Sequence, residues 1–352
     1  MTAALKVIQP GMQTTVQDLG RTGGQSLGIP VSGAMDATAL RAANVVVGNP
    51  QDTAGLEIAL AGPTLEAAAD SIRVALAGGT GELTIQRTNG ESERAGTLQS
   101  VRLVRGDTVR VGSIPGSAVA YLAIEGGLDL APFQGSLSTY VRGGFGGLDG
   151  RALRAGDLLP LRQAAAPDRG EVRLDGFDLA PRAANRVVLG PQDDYFTPDA
   201  LATFLGSEYV VSREADRMGM RLEGPALAHN EKGFNIVSDG IAPGAIQVPG
   251  NGLPIILLAD RQSTGGYPKI ATVISVDLPA LGRTSPGARL RFERVTVETA
   301  QTLRREHEAM MRTLPERLVG VRAEGFDLER LLKENLVSGV IDGHADPHRQ
   351  HH

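Results

Sequence analysis

Cysteine and tryptophan are both absent from the 352-residue chain. Without cysteine there are no disulfides, no thiolate zinc sites and no thiol nucleophile. Tryptophan is missing from the usual base-stacking side chains, and a formal net charge of −5 gives no general attraction to phosphate backbones, so no nucleic-acid partner is expected. Lysine is scarce as well, occurring as Lys6, Lys232, Lys269 and Lys333. None lies between methionines, as the biotin-accepting lysine of a carrier domain does, so biotin is expected only on a separate carrier polypeptide. No apolar run approaches the roughly 20 residues that span a bilayer, and Met1 to Pro10 has neither the basic flank nor the apolar stretch of a signal peptide. No membrane association is expected, and the expected location is cytoplasmic. There is no Walker A lysine loop, no His-Glu-x-x-His string and no close histidine pair before the end of the chain. His344, His348, His351 and His352 read as a disordered polar terminus, and no metal-ligand set is assigned.

Hydrophobic residues make up 41% of the chain and charged residues 21%, enough for a sizeable core, and the length suits two domains better than one. Short β-branched runs bounded by Gly and Pro recur in both halves. Among them are Arg73 to Leu76, Thr108 to Val111 and Ala118 to Ile124, then Arg186 to Leu189, Phe234 to Val237, Pro254 to Leu258, Ala271 to Val276 and Arg289 to Val297. With 45 glycines punctuating them, closed or sandwiched antiparallel sheets are expected rather than a βαβ array. Helices are few. Asp36 can cap Ala37 to Val46, and Thr197 can cap a helix with Pro198 in its first turn and Gly206 past its end. Beyond about Glu298 a charged helix places Leu303, His307, Met310 and Leu314 on one face, and a second piece starts near Asp327.

The order of these signals repeats along the chain. Leu60-Ala61-Gly62-Pro63-Thr64-Leu65 answers to Leu222-Glu223-Gly224-Pro225-Ala226-Leu227, and Arg154 to Leu159 faces Ser285 to Leu290. The polar, Ala/Pro/Arg-rich stretch from Gln163 to Asn185 is then the natural linker. The expected division is a first lobe over residues 1–170, a second over 186–300, and a helical C-terminal tail over 301–352 with a disordered end.

Several strings together resemble one family over nearly the whole folded chain. They are Thr14-Thr15-Val16-Gln17-Asp18-Leu19-Gly20-Arg21, Ser32-Gly33-Ala34-Met35-Asp36, Gly143-Gly144-Phe145-Gly146-Gly147, Gly190-Pro191-Gln192-Asp193, Asp216-Arg217-Met218-Gly219, Gly244 to Pro249, and Leu258 to Gln262 with Thr264 to Lys269. The family is the KipA-like one, that of the C subunit of 5-oxoprolinase, of allophanate hydrolase subunit 2 and of biotin-dependent carboxyltransferase domains. The resemblance implies a mainly β fold of two tandem cyclophilin-like β-barrel lobes. It also implies an enzyme active in complex, an ATP-dependent 5-oxoprolinase opening 5-oxo-L-proline to L-glutamate, assembled with two further subunits, one KipI-like and one LamB/YcsF-like. ATP with Mg2+ is the cofactor expected on that reading. Two others stay open: a KipA-like regulatory protein that binds and antagonises a KipI-like kinase inhibitor, and a biotin-dependent carboxyltransferase acting on urea or a similar amide. The turn Gly250-Asn251-Gly252-Leu253-Pro254 departs from the family, which carries an acidic residue and then glutamine there, and this bears on substrate choice.

The stretch Ala259 to Lys269 is the richest in polar chemistry. A glycine turn beside a cation can hold an anion, so Arg261, Gly265 and Gly266 are assigned to phosphate; the alternative is a hairpin with Arg261 in a surface ion pair. Gln247 alternates with Ile246 and Val248, and its amide can offer both donor and acceptor to a lactam or ureido group, or face solvent. Gln262, Thr264 and Tyr267 complete the substrate side. Asp239 and Asp260 are the carboxylates assigned as general base or metal ligand, with Lys269 neutralising charge; for Asp239, which precedes Gly240, turn formation is the alternative. Asp216-Arg217 reads as a local ion pair that orders a loop.

Overall fold

The computed structural model describes residues 3–180 and 182–321. The expected piece from Asp327 and the terminal histidines lie outside the described residues.

The chain is mainly β. In the first half, a six-stranded antiparallel sheet runs in the order Leu158–Pro160, Ala4–Gln9, Thr64–Ala68, Thr108–Val111, Glu82–Gln86 and Ser92–Gly96. A five-stranded sheet runs Gln13–Gln17, Gly55–Ala59, Val119–Ile124, Ser71–Ala77 and Ser100–Val104. Strand alternation explains how the two pack. Ile72, Val74 and Leu76 join Ala120, Leu122 and Ile124 in the core shared by the sheets, while Ala75, Ala77, Val119, Tyr121 and Ala123 face the other way. That outer face is covered by helix α1, Ala37–Val47, whose residues are buried except for Ala37 and Arg41. The small side chains opposite it let a helix lie close, so both faces of the central strands are dry. Asp36 caps α1 as expected, accepting from the Ala39 N–H at 2.8 Å.

The second half closes further. Eight strands run in the order Arg289–Leu290, Tyr209–Val211, Gly219–Glu223, Ile255–Leu257, Ala245–Gln247, Lys269–Val273, Asn185–Leu189 and Phe292–Arg294. The two edge strands are consecutive in the chain, so the sheet nearly closes into a barrel. Helix α2, Pro198–Gly206, is capped by the Thr197 hydroxyl accepting from Ala200 N–H at 3.1 Å, and it packs Phe204 against Tyr209 and Phe292. A short helix α3, Leu278–Gly282, which the sequence reading did not anticipate, follows the strand ending at Val273. Helix α4, Val297–Thr313, is the expected charged helix, and its Met311 is buried against α1 together with the following Leu314. No helix among the described residues is long and apolar enough to cross a membrane.

Two local expectations are corrected. Phe234 to Val237 is not a strand: Val237 is 91% exposed, and the only ladder near it is the two-residue pairing of Asp239–Gly240 with Thr264–Gly265. The linker is not merely polar, because Val172–Leu174 pairs with Leu318–Gly320 and Leu174, Phe177 and Leu179 pack beside α1. The loop at Gly143–Gly147 is folded tightly under Tyr140 and Phe145, and Arg151 is taken by Asp157 and Asp149.

Candidate functional site

Two neighbouring strands of the second-lobe barrel set the site. Ala245–Gln247 pairs antiparallel with Lys269–Val273, and the register puts Gln247 beside Lys269. Both side chains are 2% exposed, so an ammonium and a primary amide sit within the protein body. The burial of Gln247 itself decides against the solvent-facing alternative, and Ile246 and Val248 on the opposite face of the strand are buried as well. The Gln247 amide nitrogen reaches towards the Tyr267 carbonyl at 3.5 Å. A side chain at Gly265 would place its Cβ 2.6 Å from that nitrogen, so glycine at this position makes room for the amide.

The Lys269 ammonium donates to Asp239 at 2.8 Å. Gln192 clamps the same pair, donating its side-chain amide to Asp239 at 3.3 Å and accepting from the Lys269 backbone N–H at 3.1 Å. Sequence reasoning matched Gln192 to the family without giving it a role. Asp239 is 53% exposed, so a buried cation is covered by a carboxylate that solvent reaches. The Lys269 hydrogen bond, with one from the Gly240 N–H, holds the Asp239 carboxyl below its ordinary range. Arg261 lies beside the short ladder that pairs Asp239–Gly240 with Thr264–Gly265. Its guanidinium, 3% exposed, donates to the carbonyls of Ile241 at 3.1 Å and Leu258 at 3.3 Å. It has no carboxylate partner among the described residues, and burial lowers its pKa. The surface ion pair considered for Arg261 is therefore not what forms.

The Gly265-Gly266 turn expected as an anion cradle does not form: Thr264–Gly265 is a two-residue strand and Gly266 a bend beside it. Gly265 pairs with Asp239, and the Gly266 carbonyl accepts from Ile236 N–H at 2.9 Å. Neither glycine has a positive φ, and extended backbone sends successive N–H groups to opposite sides rather than into one concave cradle. Gln262, Thr264 and Tyr267 are exposed around the rim, beside exposed Phe234 and Val237.

Asp260 is placed elsewhere. It accepts from Arg217 at 2.8 and 3.1 Å at the junction of the lobes, where Arg217 also pairs with Glu57 and donates to the Gly33 carbonyl at 2.7 Å. Arg217 therefore does not pair with its neighbour Asp216, which accepts from Arg142 at 3.0 Å. Burial pulls the Arg217 pKa down, but Glu57 and Asp260 more than offset this and raise it. Glu57 is held from the other side by the Tyr121 hydroxyl at 2.6 Å and the Met35 N–H at 2.8 Å. Gly24-Gln25-Ser26-Leu27-Gly28 fits the Gly-x-Ser-x-Gly pattern of hydrolase elbows, but Gln25–Leu27 is one 3-10 turn with no strand or helix adjoining it.

A profile described as carboxyltransferase domain, subdomain A and B, matches residues 27–294. The chain belongs to this carboxyltransferase-domain family. It is 35% identical over 315 residues to the C subunit of 5-oxoprolinase from Escherichia coli, covering 89% of this chain and 98% of that protein. The Haemophilus influenzae protein of the same name is 33% identical over 307 residues, covering 86% of this chain and 95% of that one. Among solved structures, the urea amidolyase of K. lactis superposes with a TM-score of 0.79 at 30% identity over 89% of this chain. The match spans only 20% of the amidolyase, so the family domain is one part of that longer protein.

The low Asp239 pKa is testable. The sign is that of a carboxylate depressed on folding: its contribution is present above the unfolded value, near 3.8, and is lost as pH falls through the folded one. In an NMR pH titration, the Asp239 carboxyl resonance should have its midpoint below 3.8, and Lys269→Met should move that midpoint upward. A midpoint that does not respond to Lys269→Met would mean that the ammonium does not hold the carboxylate.

Proposed function

We propose that the chain belongs to an ATP-dependent 5-oxoprolinase that opens 5-oxo-L-proline to L-glutamate, working with KipI-like and LamB/YcsF-like partner subunits. The observation that carries this reading is the match over 98% of the length of a protein named as the C subunit of 5-oxoprolinase, supported by a buried amide beside a buried cation. A cytoplasmic setting, where ATP is available, goes with it.

A lactam carbonyl is a poor electrophile, which is the reason to couple its opening to ATP. Transfer of the terminal phosphoryl group to the lactam oxygen releases ADP and activates the carbon. Water then adds, the ring C–N bond breaks with the nitrogen taking a proton, and a second water releases phosphate from the resulting acyl phosphate to leave glutamate. In this scheme Gln247 and Gln262 orient the lactam, while Lys269 and Arg261 neutralise developing negative charge. Asp239 manages protons, because Asp260 is committed to Arg217 at the lobe junction. Charge developing on the transferring phosphoryl group would compete with Asp239 for the Lys269 ammonium, so the chemical step itself frees the carboxylate that the later proton transfers need. Among the described residues no group of three or more His, Asp or Glu side chains is arranged to hold a metal ion, so magnesium would enter with the nucleotide phosphates. The exposed rim of the site fits a pocket completed by a partner protein.

Carboxyl transfer from biotin to an amide is the second reading, favoured by the family description and the urea amidolyase match. The chain with both partner proteins and ATP should release ADP and glutamate in equal amounts when 5-oxoproline is added, without bicarbonate or biotin. Consumption of bicarbonate that requires a biotinylated carrier and urea would replace the first reading with the second. Partner binding without turnover on any of these substrates would leave the regulatory role.

A further inference from the structure

We propose that the cleft where both lobes meet the linker is a second binding site, taking a small organic phosphate, and is separate from the Lys269 site. A cavity of about 680 Å³ opens there, within the roughly 300–1,000 Å³ of small-ligand pockets. First-lobe residues Gly78 to Thr80 form one wall, second-lobe residues from Thr284 to Arg291 the opposite one, and the linker from Phe177 a third. None of the lining residues belongs to the Lys269 site.

The chemistry of the cleft is divided. Leu98, Phe177 and Leu290 supply an apolar side, and Arg182, Arg289 and Arg291 supply cations. Arg289 and Arg291 share one carboxylate, Glu208, and their side chains remain 73% and 59% exposed. Arg182 has no carboxylate partner among the described residues. Asp178 is the acid on the lining, and its carboxylate accepts the Ala180 N–H at 2.8 Å. A fourth arginine, Arg283, is not available: it is buried, paired with Asp36, and donates to the Leu179 carbonyl. That contact ties the linker over the cleft, while Arg182 carries no carboxylate partner among the described residues and Arg289 and Arg291 keep N–H groups beyond those shared with Glu208.

Three arginines on the lining of one cleft, against a single lining acid, suit a phosphate, whose several oxygens accept paired N–H groups at once. The apolar side adjoining them suits the body of the molecule, an aromatic ring placed against Phe177. A nucleotide carries both features, and inorganic phosphate carries only one.

The isolated full chain suffices for the test, so its outcome does not depend on the 5-oxoprolinase reading. Calorimetric titration at low salt with ATP, AMP and inorganic phosphate should show saturable one-to-one binding of the nucleotides, with inorganic phosphate binding more weakly. The double variant Arg182→Ala/Arg291→Ala changes exposed side chains, should keep the wild-type melting temperature, and should weaken nucleotide binding at least tenfold. Lys269→Met should leave that binding unchanged. The proposal is overturned if none of the three ligands binds saturably at millimolar concentration. It is equally overturned if Lys269→Met abolishes binding while the double variant does not. Inorganic phosphate binding as tightly as AMP would remove the apolar side from the site and overturn the assignment to an organic phosphate.

Discussion

Lys269→Met in the reconstituted complex is expected to lower 5-oxoproline-dependent ADP release about a hundredfold or more, the usual cost of removing one charge-stabilising donor from an active site. Methionine keeps most of the lysine's length and apolar contacts, so the buried position stays filled and the melting temperature should change little. The effect should fall on turnover rather than on KM, because an ammonium that meets charge only as phosphoryl transfer proceeds contributes to the transition state and not to the ground state. Lys269→Arg tests the geometry. A guanidinium restores the charge but not the compact point donor that meets Asp239, so it should recover only part of the loss. Turnover of Lys269→Met within about threefold of wild type would remove the Lys269 cluster from the chemistry, given the hundredfold expected of such a donor.

Much of the architecture was legible because it is local. Alternation in Ser71 to Ala77 marks a strand, and the small Ala75 and Ala77 on its outer face are what admit α1. The caps at Asp36 and Thr197 each form within three residues. Gln247 and Lys269 could be grouped from sequence because they lie on strands that turned out to be direct neighbours in the barrel. What was not legible depends on distance along the chain. Arg217 finds Glu57 across 160 positions, and no spacing rule points from one to the other, so the adjacent Asp216 looked like the natural partner. Asp260 was drawn into the proton-transfer pair for the same reason, since its engagement is visible only once both lobes are folded. Phe234 to Val237 misled in the opposite direction, because an apolar run reads as buried strand whether or not the fold supplies a neighbour. Gly265 looked like a turn, when its use is to leave space for the Gln247 amide.

The lobe junction should respond more strongly in stability than any other single position considered. Arg217 is the cation between Glu57 and Asp260, which are 4% and 7% exposed, and removing it leaves two carboxylates facing each other with little water. Breaking a buried ion pair from one side costs roughly 3–5 kcal/mol, and for a domain of this size Arg217→Met should lower the melting temperature by roughly 10 °C. The loss should come mainly from the stranded acids and not from missing attraction, since burying the original charges already carried a desolvation cost. Removing all three charges together separates these causes. Arg217→Met/Glu57→Gln/Asp260→Asn should be more stable than Arg217→Met alone, because amides accept the Tyr121 and Met35 hydrogen bonds without a charge to solvate. If the triple variant melts lower than the single one, the junction owes its stability to charge attraction, and the desolvation argument is wrong. If Arg217→Met melts with the wild type, the two lobes are not held together through this contact at all.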